Sequence, residues 1–181
     1  MYMLSGKRID LRGMVRSDLP VYRDWLSDPD VTRYLEMGWR PLGDSDLDAV
    51  YQEATSGNSA VVFVIEEKES GRAIGTTGLY LLQWHCRRAQ FRILMGVPEL
   101  FDRGYGTEAT ALIVEYGFER LNLETIYLGV NADNARAVRA YEKAGFVHEG
   151  RQRRFIYGGG TYHDCVNMSV LRSEYEGAKR K

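Results

Sequence analysis

A chain of 181 residues is expected to form one domain over residues 1–181, long enough to bury a sizeable core. Hydrophobic residues make up 44% and charged residues 27%, the balance of a folded, water-soluble chain and not of a disordered one. A formal net charge of −1 removes the electrostatic footprint of a nucleic-acid binder, and no apolar run approaches the roughly 18 residues that a membrane span needs. The opening MYMLSGKRID lacks the apolar core of a secretory signal. Cys86 and Cys165 lie far apart, so a disulfide framework is not expected and a reducing cytoplasm is.

Lys7 to Met14 alternates apolar and polar residues and reads as a first strand. Asp18 to Leu26 reads as a helix capped by Ser17 or Asp18, and Pro29 ends that region. A second helix is expected from Ser45, its cap, to Thr55, with acids in its first turn and Ser56-Gly57-Asn58 as its stop. Ala60 to Glu66 is β-branched and apolar, hence a buried strand. Glu67 to Gly71 is a polar turn, and Arg72 to Gln83 and Arg88 to Val97 complete an antiparallel meander. The period then changes. Ala109, Leu112, Ile113, Tyr116 and Leu121 fall at helical spacing, Thr125 to Val130 reads as a strand, and Asn134 to Ala144 as a helix closed by Gly145 with Phe146 behind it. Arg153 to Tyr157 and Thr161 to Leu171, joined by Gly158-Gly159-Gly160, read as a closing hairpin. The order implies a mixed α/β sheet with one strand–helix–strand passage in its second half.

The stretch FDRGYGTEA, Phe101 to Ala109, puts two glycines between an apolar strand and a helix. The first N–H groups of a helix have no partner within it and carry partial positive charge, so a loop that lets oxygens approach them holds an anion. Without Cβ atoms, Gly104 and Gly106 expose the backbone from Arg103 to Thr107, and Arg103 adds a charge. Gly104-x-Gly106-x-x-Ala109 also matches a dinucleotide fingerprint formally, but Pro98 to Arg103 separates it from the strand on which that fingerprint would sit. A nucleoside triphosphate loop would need Gly-Lys-Ser/Thr, which is absent. A glycine turn with no ligand stays open on the loop alone.

A second motif follows the next strand: Asn131-Ala-Asp-Asn-Ala-Arg-Ala-Val-Arg-Ala-Tyr-Glu-Lys-Ala-Gly-Phe146. The pair GYGTEA and NADNARAVRAYEKAGF resembles the paired motifs of GNAT-superfamily acetyltransferases, which use acetyl-CoA. Glu149-Gly150, Arg153 or Arg154, Tyr157, Gly159 or Gly160, Tyr162 and Asp164, with WLSDPDVTRYL near the start, resemble the branch that holds ribosomal-protein N-terminal acetyltransferases and spermidine acetyltransferases. The resemblance covers nearly the whole chain. It is strongest from Phe91 to Asp164 and weakest from Gly38 to Asn58.

The resemblance implies a GNAT-like fold, α+β, with a mostly antiparallel central sheet, one strand–helix–strand crossover and flanking helices. It implies acetyl-CoA as acetyl donor and no metal. The pyrophosphate would rest on the loop of Asp102, Arg103, Gly104, Tyr105, Gly106 and Thr107. The pantetheine arm would pair with the strand at Leu94, Met95, Gly96 and Val97, whose backbone offers amide donors and acceptors. Asn134 resembles a cofactor-contacting asparagine, and it also reads as a helix cap.

Acetyl transfer to an amine needs a neutral amine, a donor to the developing oxyanion and a proton for the leaving thiolate. The resemblance gives the last role to Tyr141, whose unperturbed pKa of about 10 keeps it protonated where a thiol near 8.5 is the acceptor. A packed aromatic on an amphipathic helix would show the same spacing, but Asn134 stands two helical turns earlier on the same face. The oxyanion donor would be a backbone N–H near Met95 or Gly96. The general base is missing from both places where relatives carry acids, which hold Gly129 and Gln90 here. That gap favours a weakly basic acceptor or proton loss through water, with His85, Glu36 and Glu149 as weaker substitutes. His85-Cys86 and His163-x-Cys165 lack the paired spacing of a zinc site.

Asp28, Asp30, Glu36, Asp44, Asp46 and Asp48 make one segment acidic, which would attract a cationic acceptor or else comprises helix caps and surface acids. Trp25, Trp39, Trp84 and Tyr157 line the acceptor slot or belong to the core. The resulting expectation is an N-acetyltransferase for a primary amine, whether a small molecule, an amino sugar or a protein N-terminus. A non-catalytic acyl-CoA sensor of the same fold is the alternative. Analogy with the family alone points to a homodimer.

Overall fold

A computed structural model describes residues 3–35 and 42–179, so Glu36, Gly38 and Trp39 lie outside the described residues. The elements in chain order are β1 (Leu4–Ser5), β2 (Ile9–Arg12), α1 (Leu19–Ser27), α2 (Pro29–Thr32), α3 (Asp44–Ser56), β3 (Val61–Glu67), β4 (Ala73–Gln83) and β5 (Arg88–Met95), then α4 (Tyr105–Glu119), β6 (Thr125–Asn131), α5 (Ala135–Lys143), β7 (Val147–Gly158), β8 (Thr161–Leu171) and α6 (Arg172–Lys179).

The strands form one sheet in the order β1-β2-β3-β4-β5-β6-β8-β7. Every pairing is antiparallel except β5 with β6, which α4 joins as the single crossover. The mixed sheet, the meander and the crossover all match the reading of the sequence.

Alternation along the strands splits the core in two. Phe63 and Ile65 point to the α4 face, where Phe63 meets Tyr116 edge-on with centroids 5.3 Å apart, and Ala109 and Ile113 are fully buried. Val64 points to the other face and packs with Leu19 of α1 and Leu47 of α3. Truncating a residue such as Ile113 to alanine would cost about 2–5 kcal/mol.

Five details differ from the sequence reading. Pro29 starts a short helix, α2, at its first position, where a missing N–H costs nothing; the Asp28 side chain caps it by accepting from the Asp30 N–H at 2.8 Å. Gly43, not Ser45, precedes α3, and Asp46 folds back to accept the Gly43 N–H at 2.8 Å. The helix expected from Ala109 begins a turn earlier at Tyr105, because its first turn is built from Gly104 and Gly106 and carries no apolar periodicity. Strand β7 begins at Val147, well before the expected Arg153, since nearly every side chain on this edge strand is exposed and gives no burial signal. Helix α6 was not anticipated. It docks through Tyr175, stacked on Phe118 at 5.0 Å.

Candidate active site

The site arises where the sheet opens. β5 and β6 pair only from Arg88–Gln90 to Thr125–Tyr127, after which β6 pairs with β8 alone. From Phe91 onward β5 therefore loses its neighbour on that side. Gly96 N–H donates to Ile74 O at 2.9 Å. Because bonds alternate along an antiparallel pair, Leu94 shares that orientation, while Met95, opposite Gly75, and Ile93, opposite Thr77, turn their N–H and C=O away from β4. Two residues thus offer backbone donors and acceptors to the gap. Of the pair considered for an oxyanion donor, Met95 has the outward amide and Gly96 spends its own within the sheet. Sequence reading missed Ile93, because strand register decides which amides are free.

The gap is part of a cleft of about 210 Å³ between β5, the start of α4 and α5. Leu94, Met95, Asp102, Gly104, Tyr105, Gly106, Thr107, Asn134 and Tyr141 all line it. Gly96, Val97 and Arg103 do not. An added Cβ on Gly96 would lie 2.1 Å from the Trp25 ring, so its bare backbone receives a tryptophan. Val97 is buried in the main core. Arg103 turns its carbonyl outward to accept from Arg8 Nη1 at 2.7 Å.

The cleft floor at the α4 end fits an anion. Asp102 and Gly104 hold positive φ of 59° and 84°, folding the loop so that the first amides of α4 face out. Among the described residues these first N–H groups, at Tyr105, Gly106 and Thr107, have no hydrogen-bond partner; the helical ladder starts with Glu108 N–H to Gly104 O at 3.1 Å. Cationic charge comes from α5, where Arg136, Arg139 and Lys143 line the cleft. Arg136 also lies over the Phe101 ring at 3.9 Å. The spacing of these three along one helical face was visible in the sequence, but nothing there said which way the face turned.

Arg8, from the β1–β2 turn, clamps this loop. Its backbone N–H and Nε donate to the two oxygens of Glu108 at 2.8 and 3.1 Å, and its guanidinium sits 4.5 Å over the Tyr105 ring. Desolvation would raise the Glu108 pKa, but the bonds from Arg8 outweigh it and hold the carboxylate low. Tyr105 in turn donates to Glu67 Oε1 at 2.6 Å. No motif links Arg8 to the glycine loop, so only the fold could reveal it.

At the other end, Tyr141 stands half-buried against Phe91 and Phe146, with ring centroids 5.8 and 6.0 Å away. Burial pushes its pKa up to about 12. Its hydroxyl has no hydrogen-bond partner among the described residues. Asn134 caps α5, its Oδ1 accepting the Ala137 N–H at 3.1 Å, and lines the cleft as well.

None of the general-base positions Gln90, Gly129, His85 and Glu149 lines the cleft. Gln90 Oε1 accepts two bonds from Arg92, and Gly129 stands opposite Asn167 with Cys165 Sγ 3.0 Å from where its Cβ would be. His85 is exposed in the β4–β5 turn, at the end of β5 away from the gap, and Glu149 accepts from the Ser169 hydroxyl. Trp25 is core, whereas Trp84 and Tyr157 are exposed. Among the described residues no group of His, Cys, Asp or Glu could hold a metal, and no helix is long and apolar enough to cross a membrane.

The open strand, the amide-lined loop and the tyrosine form one continuous cleft, and residues 8–147 match the acetyltransferase (GNAT) domain profile. The chain belongs to the GNAT acetyltransferases. Spermidine N(1)-acetyltransferase of Vibrio cholerae is 30% identical over 173 residues, covering 94% of this chain and 96% of that protein. The Escherichia coli spermidine N(1)-acetyltransferase is 30% identical over 174 residues, covering 96% and 91%. The crystal structure of the Vibrio cholerae spermidine N-acetyltransferase with CoA and spermine superposes with a TM-score of 0.84 at 29% identity, covering 93% of this chain and 98% of that one. These relatives fall in the branch anticipated from the residues between Glu149 and Asp164 and from WLSDPDVTRYL.

Proposed function

We propose that the chain acetylates a primary amine by direct attack, with Tyr141 as the proton donor and the β5 edge and α4 mouth as the cofactor seat. As a GNAT acetyltransferase it uses acetyl-CoA, which supplies a thioester whose acyl group an amine can take. The observation that carries the reading is the meeting of two features in one cleft: unpartnered amides at Tyr105, Gly106 and Thr107, and a protonated tyrosine hydroxyl in the same cavity.

Each residue's task follows from its position. The α4 amides and the α5 cations Arg136, Arg139 and Lys143 bind the diphosphate. The outward N–H and C=O groups of Ile93 and Met95 orient an amide-bearing arm, and the Met95 N–H is placed to steady negative charge on a carbonyl oxygen. Tyr141 holds its proton at neutral pH and delivers it to sulfur as charge develops there. Transfer breaks one C–S bond and forms one C–N bond; the proton lost by the amine balances the one gained by the thiol. With no carboxylate beside Tyr141 among the described residues, the amine sheds its proton to water. An α-amine near 8 does so far more readily than a lysine-like amine near 10.4.

The acceptor is a small-molecule amine, an amino sugar or a protein N-terminus, and the setting is cytoplasmic. Thiol released from acetyl-CoA across a panel of amines tests the reading. Release that depends on the amine supports it. Binding of acetyl-CoA with no release on any amine would mark an acyl-CoA sensor instead.

A further inference from the structure

A second cavity, of about 220 Å³, lies on the other face of β5 beside α1 and α3. It shares Leu35, Ile93 and Leu94 with the cofactor cleft, so a molecule seated in it abuts the gap between β5 and β6. Register places Tyr80 opposite Gln90 and Arg92 opposite Gly78, and the cavity takes in both Tyr80 and Arg92.

Arg92 has no carboxylate partner among the described residues. Its Nε and Nη2 donate to Gln90 Oε1 at 3.0 and 2.7 Å, and its guanidinium rests 4.7 Å over the Tyr80 ring. A guanidinium has five N–H donors, so Arg92 keeps most of its charge and several donors for another group. Tyr22 and Tyr80 line the same cavity, and neither hydroxyl has a hydrogen-bond partner among the described residues. Desolvation, with Glu53 adding to it, raises the pKa of both, so both remain donors at neutral pH. Glu53 of α3 also lines this space.

Four acids of the acidic segment, by contrast, are already engaged, while Glu36 lies outside the described residues. Asp28 and Asp46 cap helices, Asp44 pairs with Arg23, and Asp48 pairs with Arg16 at 2.7 Å. Among the described residues that line this cavity, a polycation would meet one carboxylate, Glu53, and face a guanidinium with no carboxylate partner.

We propose that this cavity seats the acceptor, and that the acceptor is a small amine carrying an anionic group, a carboxylate or a phosphate, held by Arg92, Tyr22 and Tyr80 while its amine passes Leu94 toward the thioester. The proposal rests on the acetyltransferase reading above and adds the acceptor's charge to it.

Thiol release is measured with matched acceptors: a diamine, spermidine, an ω-aminocarboxylate of the diamine's length, an aminoalkyl phosphate and a short peptide. Calorimetry with acetyl-CoA runs alongside. An aminocarboxylate or aminophosphate should exceed its matched diamine by about tenfold or more in kcat/KM, and comparison of the two says which anion is read. Arg92→Gln should erase about tenfold of that preference through KM, and Arg92→Glu should turn it toward the diamine, both binding acetyl-CoA within about twofold of wild type. Tyr80→Phe gives a second reading should an Arg92 variant fail to fold, again with KM raised for the anionic amine. Preference for diamine, spermidine or peptide, or a preference unmoved by Arg92→Gln, overturns the proposal and leaves the acetyltransferase reading standing. Acetyl-CoA bound but never turned over would overturn both.

Discussion

The ring of Tyr141 meets that of Phe91 edge-on, with centroids 5.8 Å apart and planes at 79°. Phe91 is the first residue of β5 beyond its short ladder with β6, so the tyrosine is packed against the point where the sheet opens. That packing removes water from the ring and holds the pKa near 12. Tyr141 therefore contributes no ionisation to the working range. The rate should rise with pH as the acceptor amine loses its proton, and should show no falling limb from Tyr141 below about pH 10. A kcat/KM profile against two amines of different pKa checks this: the rising limb should move with the amine.

Arg8 braces the glycine loop through Glu108 and the Arg103 carbonyl without lining the cleft itself. Arg8→Gln should loosen the loop, raising KM for acetyl-CoA by about five- to tenfold while kcat stays within about twofold. Steady-state kinetics at saturating acceptor separates the two constants. A loss confined to kcat would place Arg8 in the chemistry and contradict the bracing role.

Gly104 holds φ at 84°, a conformation that costs an L side chain roughly 1–2 kcal/mol. An added Cβ would also come 3.1 Å from Arg8 Nη2. Gly104→Ala should lower acetyl-CoA affinity about tenfold or more and reduce Tm by only a few degrees. Calorimetry and a thermal scan on the same preparation measure both.

His163 links the β7–β8 hairpin to the turn before α5. Its Nδ1 lies 2.6 Å from Asp133 Oδ2 and its Nε2 3.1 Å from Gly158 O. The bond to Asp133, then that to the Gly158 carbonyl, raises its pKa, because the imidazolium can donate to both. The stability this contact contributes is fully present below the unfolded histidine value of about 6.5 and fades as pH climbs through the raised folded value. The Tm difference between wild type and His163→Gln should be widest in mild acid and close toward alkaline pH. A gap that widened with pH would contradict the imidazolium clamp.

Much of this architecture was legible before any coordinates. The β-branched run at Ala60 to Glu66 and the change of period at Ala109 report burial, and burial is what the sheet and α4 supply. The site was legible as two motifs because a glycine loop and a capped helix are local features. What escaped were consequences of register and edge exposure. Strand β7 shows no alternation because it has almost no buried side, and the choice between Met95 and Gly96 depends on bonds made to β4. Gly96 read as a ligand contact, but its missing Cβ makes room for Trp25, a partner far away in sequence. Arg8 and Arg92 had no motif at all; each acquires meaning only from the element the fold sets beside it.

The most direct test of the central claim is acetyl-CoA binding and single-turnover thiol release, measured together on wild type and Tyr141→Phe with a saturating amine. Loss of a proton donor should slow release by about a hundredfold or more with the dissociation constant nearly unchanged. Release at the wild-type rate from the phenylalanine variant would contradict the account, as would wild-type protein that binds no acetyl-CoA.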